Sequence, residues 1–243
     1  WKTKEGLVRG CACRGTAGFA HVSCLAEQAK ILVAEAEENN LDLKVLNERW
    51  DRWHTCSLCE QDYYGVVRCA LGWACWKTYV GRPETEQIRT LAMGQLANGL
   101  YDARHNEAAL SVQEAELSLK LRLGAPEETI LTVKGNLANT YYALGRSVDA
   151  LRVRRDVYSG FVRIFGKEHR ATITTAICYA LTLIDLQRYA EAKALVRKMI
   201  PAARRVHGDD HENTLRLRWN YAEALCWDAD ATLDDIREAV ITL

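Results

Sequence analysis

The sequence predicts an all-α fold: a solenoid of about four helix pairs, preceded by a small zinc-binding module that carries an inserted helix. Three observations carry that expectation. Ala97, Ala138, Ala180 and Ala222 recur at spacings of 41, 42 and 42 residues, a period suited to stacked two-helix repeats. Gly124, Gly166 and Gly208 recur at the same 42-residue spacing. Ahead of the repeats stand three pairs of metal-type ligands, Cys11 with Cys13, His21 with Cys24, and Cys56 with Cys59.

Composition bounds the reading. The chain has 243 residues, enough for a small module plus an elongated domain, and 49% hydrophobic with 26% charged residues is an ordinary globular balance. Basic and acidic residues number 32 each, 10 of each up to Val80 and 22 of each after it. Neither half carries the basic excess of a polyanion binder, so nucleic acid is not an expected partner. The most apolar stretch, Gly65 to Val80, is interrupted by Arg68 and Lys77 and is too short to span a bilayer, so no membrane partner is expected. Five of the nine cysteines fall in CxC, HxxC and CxxC spacings that suit a metal better than disulfides. With no secretory signal pattern before them, the chain reads as a fragment of a cytoplasmic or nuclear protein.

Zinc takes four soft or borderline ligands in a tetrahedron, and a short turn with two cysteines presents both sulfurs to one ion. CysAlaCys at 11–13 and CysSerLeuCys at 56–59 are two such half-sites. Between them, seven residues separate Cys13 from His21, two more lead to Cys24, and Leu25 follows. This order resembles the RING-CH variant of the RING finger, with six of its eight ligands in sequence. The resemblance implies crossed ligation: Cys11, Cys13, Cys56 and Cys59 hold one Zn2+, while His21 and Cys24 are half of a second site. The partners of that half-site would be an earlier CxxC, so the chain is expected to begin just after it. The spacer from Cys24 to Cys56 is long, and AlaGluGlnAlaLysIleLeuValAlaGluAlaGluGluAsn within it reads as an inserted helix starting on the ligand itself. The Trp after HxxC and the Pro inside the last CxxC, by which the family meets a ubiquitin-conjugating enzyme, are absent; Trp50 and Trp53 approach the final pair instead. His54 reads as a packed or surface histidine and not as a ligand.

The module is expected over 1–64 and a connecting helix over 65–82. That helix carries apolar residues on nearly every face, so it should be mostly buried, with Trp73 and Trp76 on one side. Cys69 and Cys75 within it read as packing residues, and Cys178 and Cys226, further on, as core. GlyArgProGlu at 81–84 then breaks the helix, with Pro83 suited to a first turn.

The repeats occupy 83–243, as units of about 84–125, 126–168, 169–210 and 211–243. Twelve residues after each of the first three consensus alanines comes another, Ala109, Ala150 and Ala192, while Asp234 takes the fourth place. Small residues there let antiparallel helices approach, and Leu96, Leu137, Tyr179 and Tyr221 supply the neighbouring knobs. The recurring glycines suit left-handed helix ends. AsnLeuAla, GlyArg, GluAla and GlyxxHis within these units resemble the long tetratricopeptide repeat of kinesin light chains. That resemblance covers 84–243 and implies a concave groove lined by the first helix of each pair.

Offsets from the consensus alanine place Asn98, Asn139, Leu181 and Glu223, then Tyr101, Tyr142, Ile184 and Cys226, on that lining. Asn98, Tyr101, Asn136, Asn139 and Tyr142 are the candidate peptide-binding residues, since an asparagine side chain can donate to and accept from an extended backbone; the alternative role for Asn136 and Asn139 is to satisfy neighbouring helices. Asn98 and Asn136 also fall where carboxylate-clamp repeats place asparagines, but Gly94, Thr174 and Cys178 stand where that clamp has cations. Arg155 with Arg197, and Arg163 with Arg205, recur at the 42-residue period and read as a solvated convex face or as a basic stripe for an acidic partner.

No Ser/His/Asp arrangement, phosphate-binding glycine loop or HExxH motif accompanies these features. The expected function is a zinc-containing protein-interaction adaptor that holds a peptide of its partner in the groove. The alternative is a RING-CH-type ubiquitin ligase, which would position a ubiquitin-conjugating enzyme without acid–base residues of its own.

Overall fold

The computed structural model describes residues 5–242; residues 1–4 and Leu243, the outer ends of the expected module and solenoid, lie outside the described residues. Contacts divide the chain into two units, one up to Gly124 and one from Ala125 onward.

The first unit opens with a short antiparallel hairpin, β1 (Val8–Arg9) against β2 (Phe19–Ala20), with Val8 opposite Ala20 and Arg9 opposite Phe19. The CysAlaCys turn lies in its loop. Gly10 is obligatory there, because an added Cβ would lie 2.5 Å from the Val67 side chain. Helix α1 (Val22–Glu38) begins where the ligand-led helix was expected, with His21 as its N-cap. A second helix in the insert, α2 (Leu43–Trp50), is capped by Asp42, whose carboxylate accepts from the Val45 N–H at 2.9 Å.

Helix α3 (Gly65–Tyr79) buries Val67, Leu71, Cys75 and Tyr79 but leaves Val66 and Trp73 exposed, so it is amphipathic and not buried all round. Trp76, rather than the Trp73–Trp76 pair, does the packing. Trp50 and Trp53 are buried around Tyr79, with ring centroids 5.6 and 6.0 Å from it. They fasten the insert to α3 and offer no exposed aromatic platform. Helices α4 (Gln87–Asp102) and α5 (Asn106–Arg122) form the first pair. Two glycines bring α3 and α4 into near-backbone contact: a Cβ on Gly72 would lie 2.7 Å from the Gln95 carbonyl, and one on Gly99 2.7 Å from the Arg68 carbonyl.

The second unit stacks three more pairs: α6 (Glu127–Ala143) with α7 (Ser147–Phe165), α8 (Arg170–Asp185) with α9 (Tyr189–His207), and α10 (Glu212–Cys226) with α11 (Leu233–Thr242). All seven consensus alanines are buried at 4% exposure or less, as close helix approach requires. Asp234 sits exposed in the first turn of α11, and Ala239 is the buried alanine there.

The GlyxxHis turns show why they repeat. Gly166 and Gly208 have φ of 79° and 91° with ψ near 180°, a region essentially restricted to glycine, and not the left-handed helical one. Three residues on, His169 and His211 cap α8 and α10, their Nδ1 atoms accepting from the N–H of Ala171 and Asn213 at 3.3 and 3.1 Å. Their rings stack on Phe165 and His207, both at 4.2 Å. Thr172 and Thr214 close each turn, donating to the Gly166 and Gly208 carbonyls at 2.8 Å.

The recurrent arginines are largely compensated. Arg163 pairs with Glu127, Arg205 with Glu168 and Arg197 with Glu238, while Arg155 lies 3.9 Å from Asp156. They form a solvated, charge-balanced face whose pairs contribute little each.

Candidate metal centre and repeat groove

The two cysteine turns converge. The Sγ atoms of Cys11, Cys13, Cys56 and Cys59 all lie within 4.8 Å of one another, the first three buried. This is the one cluster of at least three metal-type ligands among the described residues. Cys13 Sγ is 3.7 Å from Cys56 Sγ, far beyond a disulfide bond. A tetrahedral ion with 2.3 Å bonds to sulfur would set ligand edges of about 3.8 Å, so the four thiols fit a metal with little movement.

Local backbone explains the convergence. The Thr55–Asp62 bridge closes the second turn, Glu60 at its tip adopts a positive φ of 57°, and the Leu58 N–H reaches Cys56 Sγ at 3.5 Å. In the first turn, Tyr64 N–H donates to the Gly10 carbonyl at 3.0 Å and ties the two loops together. Val67, Leu71 and Tyr63 close the back of the cluster.

The donor chemistry also fits a cation. Burial opposes ionisation of Cys56, but hydrogen bonds from the Cys59 and Leu58 N–H groups outweigh it and bring the thiol down to about 7. Cys13 is pushed up to about 12 by its contact with the Cys59 sulfur and by burial, and burial also raises Cys11. Cys56 ionises readily while Cys11 and Cys13 resist, and a dication at the centre would reverse that resistance.

His21 and Cys24 adjoin each other, Nδ1 to Sγ at 3.7 Å, at the exposed start of α1. Among the described residues no third ligand joins them; the nearby Glu5 carboxylate instead accepts from the Ser23 N–H at 3.0 Å and from its hydroxyl. His54 is half-buried outside the cluster, its Nδ1 bonded to Gln95 Nε2 at 3.0 Å. Burial, then the Arg68 charge, hold its pKa below the ordinary value.

In the first unit, Asn98 and Tyr101 lie half-buried on α4. In the second, a cleft of about 290 Å³ opens between α6 and α8 with α7 as its floor. Asn136 and Asn139 line it, with Leu131, Val157 and Phe161 below. Asn139 is committed in part, its Oδ1 accepting from Arg154 Nη2 at 3.0 Å. Tyr142 lies just beyond, its hydroxyl donating to Asp185 and its ring 4.8 Å below the Arg154 guanidinium.

Arg154 is the groove residue that sequence reasoning missed. It is 4% exposed, donates to the Cys178 carbonyl at 2.9 Å and to the Thr182 hydroxyl, and so joins all three helices. Its signal was available: Arg154 is a charged residue four positions after the consensus Ala150, where the next unit carries the buried Val196. Two further expectations are corrected. Cys226 is exposed and Cys178 lines the cleft, so neither is core, and Ile184 is packed at 6% exposure and does not face the groove.

Residues 172–213 match the family described as tetratricopeptide repeat. No curated protein matches the chain. Among solved structures, the chain is similar to a protein from Podosopora anserina described as a kinesin light chain with nearly identical TPR-like repeats. That match has 14% identity and a TM-score of 0.62, and covers 91% of this chain and 94% of that one. It is also similar to BtubC (BKLC) from P. vanneervenii at 12% identity and a TM-score of 0.66, covering 91% of this chain and 86% of that one. At these identities the likeness is one of fold: a tetratricopeptide-like helical solenoid with a four-cysteine cluster at its N-terminal end. Among the described residues no helix is long and apolar enough to cross a membrane.

Proposed function

We propose that this protein is a protein-interaction adaptor, in which Zn2+ held by Cys11, Cys13, Cys56 and Cys59 folds the N-terminal module and the repeats capture a peptide segment of a partner. The observation that carries the reading is the cleft between α6 and α8, where two expected peptide-binding asparagines, Asn136 and Asn139, stand over an apolar floor. Tyr142 would extend the contact in this unit, and Asn98 and Tyr101 are the candidate peptide-binding residues of the first unit. Zinc would supply structure: Cys56 and Cys59 hold it from one turn, Cys11 and Cys13 from the other, with no part in any reaction. The proposal sets the protein in the cytoplasm or nucleus, where thiols stay reduced.

The test is selection of a random peptide library on the purified protein, followed by alanine substitution of Asn98, Tyr101, Asn136, Asn139 and Tyr142. Enriched peptides that lose binding in these variants support the adaptor. A selection that enriches nothing, or peptides indifferent to all five changes, would refute it.

A RING-CH-type ubiquitin ligase is the second reading, favoured by one observation: the four sulfurs converge in the pairing that crossed ligation requires. His21 and Cys24 would then hold a second zinc with ligands from elsewhere, and the repeats would choose the substrate. Ubiquitin discharge from a panel of charged conjugating enzymes, with Cys56→Ser as control, decides it; no discharge with any member sinks this reading.

A further inference from the structure

Away from the cysteine cluster and the groove asparagines, a cavity of about 240 Å³ opens in the first unit where α3, α4 and α5 meet. Helical spacing builds its walls. Arg89 and Met93 stand four apart on α4, Ser118 and Arg122 stand four apart on α5, and Trp76 of α3 joins them. Glu84, in the loop before α4, completes the charged lining.

The charges in this lining do not balance. Two guanidiniums share one carboxylate: Glu84 bonds to Arg122 and lies 3.7 Å from Arg89 Nη2, beyond hydrogen-bond distance. Arg89 Nη1 donates to the Arg82 carbonyl at 2.8 Å, which holds the guanidinium in place. Its Nε is buried and has no hydrogen-bond partner among the described residues. A planar fork with five N–H donors is thus preset with donors to spare. The start of α4 and the end of α5 meet here, so their opposite dipoles offset each other and the side chains set the sign. That leaves a surplus of one positive charge beside the apolar surface of Met93 and Trp76. The Glu84–Arg122 pair does not seal the cavity, since both side chains are largely exposed and such a pair contributes little.

We propose that Arg89 and Arg122 form a binding site for a monoanionic carboxylate carried on an apolar body. The two forks take the carboxylate oxygens, as charge-assisted hydrogen bonds favour, Ser118 adds a hydroxyl donor, and Trp76 and Met93 take the apolar part. A phosphate dianion would overshoot the surplus by one charge. The cavity is smaller than the usual ligand site, so its occupant is a small aryl acid, or one acidic side chain beside an aromatic residue in a peptide. Glu84 is the internal competitor. The site stands apart from the groove, and it holds or fails independently of the adaptor reading.

The experiment uses the full chain with labelled methionine methyl groups. Met93 and Met199 are the two methionines of the sequence, so one signal reports the cavity and the other, from a fully buried residue of α9, serves as its control. Phenylacetate, phenylacetamide, acetate and a blocked Gly/Ser peptide with a central Asp-Phe are titrated at fixed ionic strength. Phenylacetate is expected to move the Met93 signal and leave Met199 still. It should bind at least about tenfold tighter than the neutral amide and about fivefold tighter than acetate. Binding of phenylacetate alone identifies a free acid as the source, and equal or tighter binding of the peptide identifies an acidic segment; either upholds the site. Arg122→Gln should weaken phenylacetate about tenfold, and Glu84→Gln, which removes the competitor, should tighten it roughly threefold. Should Arg122→Gln melt early, Glu84→Gln decides alone. The site is overturned if Met93 does not respond at about 10 mM phenylacetate, if the amide or acetate binds as tightly, or if Glu84→Gln fails to tighten binding.

Discussion

Cys13 Sγ lies 3.7 Å from Cys56 Sγ across 43 residues of chain, a separation within about 0.1 Å of the edge of a tetrahedron around zinc. The long insert, α1 and α2, therefore lies between two halves of one four-cysteine cluster. Closing it costs little more than closing a shorter loop would, because loop entropy grows only with the logarithm of length.

Cys56→Ser should strip the metal and unfold the N-terminal module. Metal analysis of purified protein is expected to find one Zn2+ at this cluster in the native chain and none in the variant, with a loss of several kcal/mol in module stability. Full zinc retention in the variant would remove Cys56 from the site.

Gly99→Ala tests a competition between two effects of known size. Helix propensity favours the change by about 1 kcal/mol, but the new Cβ would sit 2.7 Å from the Arg68 carbonyl and 2.9 Å from the Cys69 Cα. Backbone atoms cannot step aside as a side-chain tip can, so the clash should win by roughly 1–3 kcal/mol. A thermal melt gives the sign directly.

Arg154→Ala should cost about 2–4 kcal/mol in the second unit, because it strips hydrogen bonds from the buried Cys178 carbonyl, Thr182 hydroxyl and Asn139 amide. Arg154→Lys should restore only part, since an ammonium cannot reproduce a planar fork. Chemical denaturation of the three proteins provides the comparison.

The junction between α9 and α10 should weaken in acid. Burial, then the charges of His211 and Arg170, hold the His207 pKa below its ordinary 6.5. The folded state thus binds this proton less tightly than the unfolded chain does, so stability is complete above about pH 6.5 and declines as pH falls below it. Melting temperatures taken from pH 7.5 to 5 should fall less steeply for His207→Phe than for the native protein.

The repeat architecture was legible because its signals are local and periodic. Ala138 and Ala180 report close helix packing, and Gly166 and Gly208 report turns, wherever the chain goes next. The cysteine cluster was legible for a different reason: only a few spacings let two short turns share an ion. Less visible were features that depend on what lies opposite. Trp50 and Trp53 read only as approaching the final cysteine pair, yet they meet Tyr79, which no local pattern links to them. The burial of Arg154 required knowing that α6 and α8 both border it, and the exposure of Cys226 that no side chain among the described residues covers it.

The near-contact of α3 with α4 has a practical consequence for dividing this protein. A cut at the predicted boundary near residue 82 would separate Gly72 from Gln95 and Gly99 from Arg68, baring a glycine-smooth helix face that no side chain could patch. The N-terminal module is thus not a detachable cassette. Its last helix serves as the wall against which the first repeat is built, and a fragment meant to keep the repeats intact should retain α3 together with the segments that cover Val67, Leu71 and Tyr79.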